Sequence, residues 1–175
     1  MTVTLRLIND ANREAVQRLT ISADQSRFVE DVRSSLVEAA TYEQPPWCRA
    51  VYHEDVPVGF VMLADDDPTC PWRYFLWRLL IDCRYQGRGF GRAAVDLTAA
   101  YVRTRPGGDE LVTTVACYGD IRDDASPLGF YRRCGFVNTG ELHYRELVLR
   151  RPLRTPSTAH PGTEPAEGPL TAATS

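Results

Sequence analysis

The run Gln86-Gly87-Arg88-Gly89-Phe90-Gly91 restricts the fold more than any other stretch of the chain. Glycine loses more backbone freedom on ordering than any other residue. Three at alternate positions are therefore costly inside a helix or strand and useful where the chain must turn sharply. The flanks show what is being joined. Residues 74–82, Tyr-Phe-Leu-Trp-Arg-Leu-Leu-Ile-Asp, are rich in aromatic and branched side chains and predict a strand. Residues 91–103 predict a helix, stopped by Pro106-Gly107-Gly108. At the start of such a helix, free N–H groups and the positive end of the helix dipole face the same point. Arg88 and Arg92 add positive charge beside it. The natural guest is a phosphate or pyrophosphate.

Not every phosphate-binding scheme survives. The chain has no Gly-Lys-Ser/Thr, so a P-loop is excluded. Gly89-x-Gly91-x-x-Ala94 fits a dinucleotide fingerprint, and Glu110 follows at a suitable distance. But Glu110 precedes the next predicted strand, whereas a ribose-binding acid belongs at the C-terminal end of that strand. A long stretch of chain also comes before the turn, where that fingerprint usually opens its domain.

The rest of the chain mixes strands and helices. Residues 3–7 alternate and predict a first strand. Residues 11–23 predict a helix with Asn9 or Asp10 as its N-cap. A second helix is predicted over residues 25–40, where Phe28, Val32, Leu36 and Ala39 or Ala40 fall at helical intervals before Pro45-Pro46. Residues 47–53 and 58–63 predict a strand pair around Glu54-Asp55, followed by a loop at residues 65–68. Further strands are expected at residues 111–117, 136–139 and 143–149, with a helix at residues 127–134 closed by Gly135. This order predicts an α/β (mixed α+β) domain over residues 1–153, with one central mixed sheet and helices on both faces. Residues 154–175 carry four prolines among small and polar residues and are expected to be a disordered tail.

Composition removes several chemistries. All 20 basic residues are arginine, so no lysine Schiff base can form. A net charge of −3 argues against a nucleic-acid binder by bulk electrostatics. The five cysteines, Cys48, Cys70, Cys83, Cys117 and Cys134, are widely spaced and form no C-x-x-C. His53, His143 and His160 lack metal-ligand spacing, and no metal site is predicted. No apolar run is long enough to span a bilayer, and the N-terminus shows no signal pattern. A cytoplasmic protein is expected, with neither membrane nor nucleic acid as partner.

Gln86-x-x-Gly89-x-Gly91 fits the Q/R-x-x-G-x-G/A signature of the GNAT N-acetyltransferase superfamily, and it lies at the junction of the fourth strand and third helix as in that family. Phe130-Tyr131-x-x-x-Gly135-Phe136 resembles the family's Y-x-x-x-G-F motif at a similar spacing. The resemblance covers about residues 3–149 and implies a GNAT-like, mostly antiparallel mixed sheet. Within it, Phe28-Val29, Ser35-Leu36, Val58-Gly59-Phe60-Val61-Met62 and residues 74–82 followed by Arg84-Tyr85-Gln86-Gly87 resemble the bacterial spermine/spermidine acetyltransferase branch.

The resemblance implies an enzyme that moves an acetyl group from acetyl-CoA directly to a primary amine of a small molecule, a polyamine being favoured. By position, Gln86, Gly87, Arg88, Gly89, Phe90, Gly91 and Arg92 would bind the CoA pyrophosphate. Main-chain groups of Leu79, Leu80 and Ile81 would pair with the pantetheine arm as an added strand would. The Ile81 amide would face the thioester oxygen. Asp124 and Ser126 stand where the family places a polar contact to CoA, often Asn, so Asp124 departs from the pattern. Tyr131 would protonate the departing thiolate, or else be a packed aromatic. The general base is not legible: Asp82, Asp65, Asp66, Glu30 and an ordered water all compete. Tyr74 and Trp77 fall on opposite strand faces, and either could hold an ammonium group by cation–π contact. A protein N-terminal or lysine acetyltransferase, an antibiotic-amine acetyltransferase and a non-catalytic acyl-CoA-binding module are the alternatives. A homodimer is left open.

Overall fold

The computed structural model describes residues 2–22, 25, 28–116 and 127–154. The elements run β1 (Val3–Leu7), α1 (Arg13–Gln17), α2 (Val32–Ala39), β2 (Trp47–His53), β3 (Val56–Asp65), β4 (Tyr74–Ile81), a 3-10 turn (Cys83–Tyr85), α3 (Phe90–Arg103), β5 (Glu110–Ala116), α4 (Pro127–Arg133), β6 (Val137–His143) and β7 (Glu146–Pro152). The strands form one seven-stranded sheet in the order β1-β2-β3-β4-β5-β7-β6. Every neighbouring pair is antiparallel except β4 and β5, which run parallel.

Alternation along the strands divides the apolar residues between two cores. The upper core joins Val61, Leu63, Tyr74, Leu76, Leu111, Val115 and Leu149 of the sheet to Phe90, Ala94, Val95, Ala99 and Val102 of α3. Ala94 and Ala99 are completely buried, and these small side chains let the helix approach the sheet closely. The lower core joins Ala50, Tyr52, Phe60, Met62 and Leu80 to Val16 of α1 and Val32 and Ala39 of α2. Helices thus cover both faces, as the element order predicts.

The first two helices are shorter than expected. The Asn12 side chain accepts from the Asn9 N–H and donates to the Leu7 carbonyl, at 2.9 Å each. Residues 9–12 are therefore spent on a turn, and α1 starts at Arg13. The second helix starts at Val32 because Asp31 caps it: its carboxylate accepts from the Ser34 N–H at 2.8 Å. The sixth strand runs on where a stop at Thr139 was expected. Asn138 pairs with Leu149 and Leu142 with Leu147, so residues 139–141 form a bulge and not a strand end. A turn of Tyr144 and Arg145, both at positive φ, joins β6 to β7. Residue 117 and residues 155–175 of the expected tail lie outside the described residues.

Candidate active site

The glycine-rich turn is anchored before it turns. Asp82 follows β4, is fully buried, and accepts four hydrogen bonds: from the Thr20 N–H at 3.0 Å, the Arg84 N–H at 2.9 Å, and Arg84 Nε and Nη2 at 2.8 and 2.9 Å. Burial pushes its pKa up, but the Arg84 side chain and the two backbone N–H groups outweigh burial and bring it down to about 2. Asp82 caps the 3-10 turn and has no lone pair free for a substrate proton. Gln86 braces the next step. Its Nε2 donates to the Ile81 carbonyl at 2.8 Å and to Gln25 Oε1 at 2.7 Å.

Gly87 and Gly89 then adopt φ of 72° and 84°, a region other L-residues occupy only with strain. Gly89 is the N-cap residue of α3, and no side chain caps the helix. The first intrahelical bond here is from Ala93 N–H to the Gly89 carbonyl at 3.0 Å, so the amides of Phe90, Gly91 and Arg92 are left without helix partners. The Phe90 side chain is buried in the upper core, against His53, and pins this turn down. Arg88 and Arg92 are exposed at its rim. The turn thus offers N–H groups without helix partners and the positive end of a helix dipole, with two arginines at its rim, which suits a pyrophosphate.

Beside the turn the sheet opens. The parallel strands β4 and β5 pair only at Phe75 and Val112, near the start of each. Thr113 Oγ1 adds a bond to the Leu76 carbonyl at 2.9 Å. Beyond Leu76, β4 is paired with β3 alone among the described residues. The Asp82 N–H bonds the Val58 carbonyl on β3. Main-chain groups alternate along a strand, so those of Ile81 and Leu79 point away from β3 and into the opening. Leu80 turns its carbonyl toward Gly59 and its side chain into the lower core. A Cβ on Gly59 would lie 2.5 Å from that carbonyl, so only glycine fits beneath this end of β4.

A bulge in β4 decides what lies on the lower face. Met62 pairs with Arg78 and Leu63 with Leu76, leaving Trp77 as the extra residue. Simple alternation would place Arg78 in the upper core with Tyr74 and Leu76. After the bulge it joins Trp77 below, where Arg78 Nη2 meets Glu38 Oε2 at 2.6 Å. Tyr74 is an upper-core residue whose hydroxyl donates to the Pro106 carbonyl. Trp77 is half-buried on the lower face, edge-on to Tyr42 at 5.3 Å.

Tyr131 reaches the opening from above. It lies on α4, and the pocket around it pushes the phenol up to about 12: burial is the main cause, opposed by a hydrogen bond with the Thr113 side chain. α4 is seated by Phe130, whose ring would lie 3.2 Å from a Cβ on Gly91. Ile81, Gly91, Phe130, Thr113 and Tyr131 therefore come together around one gap. Asp124 and Ser126 lie outside the described residues. Asp65 and Asp66 do not reach the gap. They sit at the far end of β3, where Asp65 pairs with Tyr74, binds the Tyr101 hydroxyl and Arg105, and lines a cavity of about 190 Å³ with Trp47 and Pro46. Glu30 is exposed ahead of the Asp31 cap.

Two features of the gap escaped sequence reasoning. The β-branched Thr113-Thr114 pair looks like any strand segment, and Glu146 like any surface charge. In the fold, Thr114 Oγ1 donates to Glu146 Oε2 at 2.5 Å on the lower face. Gly59 did carry a signal, because glycine inside a strand often marks close backbone approach.

The fold resembles solved acetyltransferases. An acetyltransferase from Thermus thermophilus superposes with a TM-score of 0.64 at 21% identity, covering 87% of this chain and 97% of that one. The PaiA N-acetyltransferase from Thermoplasma acidophilum, crystallised with coenzyme A, gives a TM-score of 0.59 at 15% identity over 87% and 99% of the two chains. In sequence, a spermine/spermidine N(1)-acetyltransferase from Bacillus subtilis (strain 168) is 28% identical over 151 residues, 82% of this chain and 93% of the relative. The model of the acetyltransferase (GNAT) family matches residues 9–136, a span that holds the glycine-rich turn, the opened strand pair and Tyr131, and the chain therefore belongs to that family of acetyltransferases.

Proposed function

We propose that the protein moves an acetyl group from acetyl-CoA to a primary amine of a small polycationic molecule, a polyamine, by direct attack within a ternary complex. The observation that carries this reading is the gap between β4 and β5, which has different chemistry above and below. Above lie the unpaired amides of Phe90, Gly91 and Arg92 and the Tyr131 hydroxyl. The lower face of the sheet carries aromatic rings, Glu38 in its pair with Arg78, and Glu146. Trp77 and Tyr42 meet at 5.3 Å, and Trp72 contacts Phe75 at 5.0 Å and His143 at 4.8 Å. Ring faces attract cations, as Trp77 does the Arg78 guanidinium 5.4 Å from its ring. The name of the Bacillus relative supports the same substrate class.

In this reading the turn holds the CoA pyrophosphate, with Arg88 and Arg92 at its rim. The main chain of Leu79 and Ile81 holds the pantetheine arm in the gap. The Ile81 N–H stabilises charge on the thioester oxygen as the amine attacks. Tyr131 gives its proton to the leaving sulfur. The phenol is protonated throughout the neutral range; the attacking nitrogen loses its proton to water, and the Tyr131 phenolate regains one from water after thiol release.

Thiol release from acetyl-CoA tests the proposal. Turnover is expected with spermidine and spermine and not with aminoglycosides or peptide N-termini. Release with peptides in place of polyamines would move the protein to the protein-acetyltransferase class. Tyr131→Phe is expected to lower kcat about 10²–10⁴-fold with CoA affinity intact. Normal turnover in that variant would refute the acid role.

A further inference from the structure

We infer that Glu146 is the carboxylate that holds an ammonium group of the acceptor, so that the preferred substrate carries a second positive charge besides the amino group that reacts. The inference rests on the amine-acetyltransferase reading above and adds a residue and a selectivity to it.

Thr113 and Thr114 are adjacent on β5, and adjacent strand residues face opposite sides of a sheet. Thr113 turns upward and meets Tyr131. Thr114 turns downward and meets Glu146 at 2.5 Å. Their Cα atoms are about 3.8 Å apart, as in any trans peptide. The proton donor for the leaving group and the Glu146 carboxylate therefore flank the same point of β5, on opposite sides. With α4 and Tyr131 packed on the upper side, the lower side, that of Glu146, is the one left for an amine approaching a thioester held in the gap.

Among the described residues, Glu146 also has no cationic partner. Other carboxylates on this arginine-rich protein are paired: Glu110 and Glu141 with Arg150, Asp96 with Arg151, Asp109 with Arg154. Among the described residues, no arginine lies within ion-pair distance of Glu146. Its hydroxyl partner Thr114 fixes its direction and leaves its charge intact. The bulge at residues 139–141 and the tight turn at Tyr144 and Arg145 shape this end of the β6–β7 hairpin. His143, paired with Glu146 across that turn, carries the aromatic contact to Trp72. A partly buried carboxylate held by a neutral hydroxyl is a site for an ammonium group.

The test compares a diamine with the monoamine of equal chain length at saturating acetyl-CoA. The wild-type protein is expected to favour the diamine about tenfold or more in kcat/KM, or about 1.4 kcal/mol. Glu146→Gln keeps the shape and removes the charge. It should collapse most of that preference by raising the diamine KM, with the KM for acetyl-CoA unchanged. Thr114→Val, which frees the carboxylate without discharging it, should fall between the two. Circular dichroism and CoA binding establish that each variant is folded. If Glu146→Gln keeps the full preference, or the wild type shows none, the role of Glu146 is refuted while amine acetylation stands. If the wild type releases thiol with neither amine nor polyamine, the underlying functional reading falls instead.

Discussion

Replacing Asp82 with Asn discharges a buried carboxylate while keeping its shape. Two N–H donors converge on each of its oxygens: the backbone N–H and Nε of Arg84 on Oδ1, the Thr20 N–H and Arg84 Nη2 on Oδ2. An asparagine amide offers one acceptor and one donor. Whichever way it turns, one pair of donors faces another donor. The size of the effect follows from the proton affinity of the site. Its pKa falls from 3.8 to about 2, because the hydrogen bonds outweigh the opposing effect of burial. Each tenfold change in affinity is about 1.4 kcal/mol, so the ionised form contributes about 2 kcal/mol to folding at neutral pH. Urea unfolding at neutral pH should show Asp82→Asn destabilised by about 2–3 kcal/mol. The native pKa lies below that of the unfolded chain. The contribution is therefore complete above about pH 4 and disappears as pH falls through about 2. The gap between wild type and variant should narrow over that window. A variant within about 0.5 kcal/mol of wild type at neutral pH would refute the reasoning. So would a gap that stays constant from neutral pH down to the acid end of the window.

Other consequences are as direct. Gly59→Ala forces a Cβ against the Leu80 carbonyl at 2.5 Å and Ile81 Cδ1 at 2.6 Å. Overpacking of this kind costs about 1–3 kcal/mol, and here it also displaces the end of β4, so a fall in Tm should come with a fall in kcat. An unchanged Tm would mean that β4 yields more readily than its backbone contact implies. Gly89→Ala must hold φ at 84°, costing about 1–2 kcal/mol. It should weaken CoA binding, measured calorimetrically, and leave the acceptor KM unchanged.

Most of the architecture was legible because several signals agreed along the chain. The strand at residues 74–82, the glycine turn and the helix at Phe90–Arg103 each had composition, punctuation and periodicity pointing the same way. The first two helices were overextended because Asn12 and Asp31 compete with the helix for backbone bonds, and residue type alone does not reveal which partner wins. The position of Arg78 was hidden for a different reason. A single extra residue at Trp77 reverses the alternation, and pairing register is a property of two strands, not of one. At the site, glycines left a trace because the backbone demands them. Thr113, Thr114 and Glu146 left none, since ordinary residue types acquire a role only when β4, β5 and β7 are brought together. Asp65 and Asp66 illustrate the converse, being candidate acids in the sequence that lie at the far end of β3 from the gap.

Among the described residues, Phe75 and Val112 form the one main-chain rung between the two halves of the sheet, which the core under α3 also holds together. The sheet is in this sense a ladder with rungs missing, and a ligand laid along Leu79 and Ile81 would act as one of them. Anything bound only by the folded chain stabilises it by about 1.4 kcal/mol for every tenfold rise in its concentration above the dissociation constant. Local opening at this end of the sheet would then become rarer as that ligand's concentration rises.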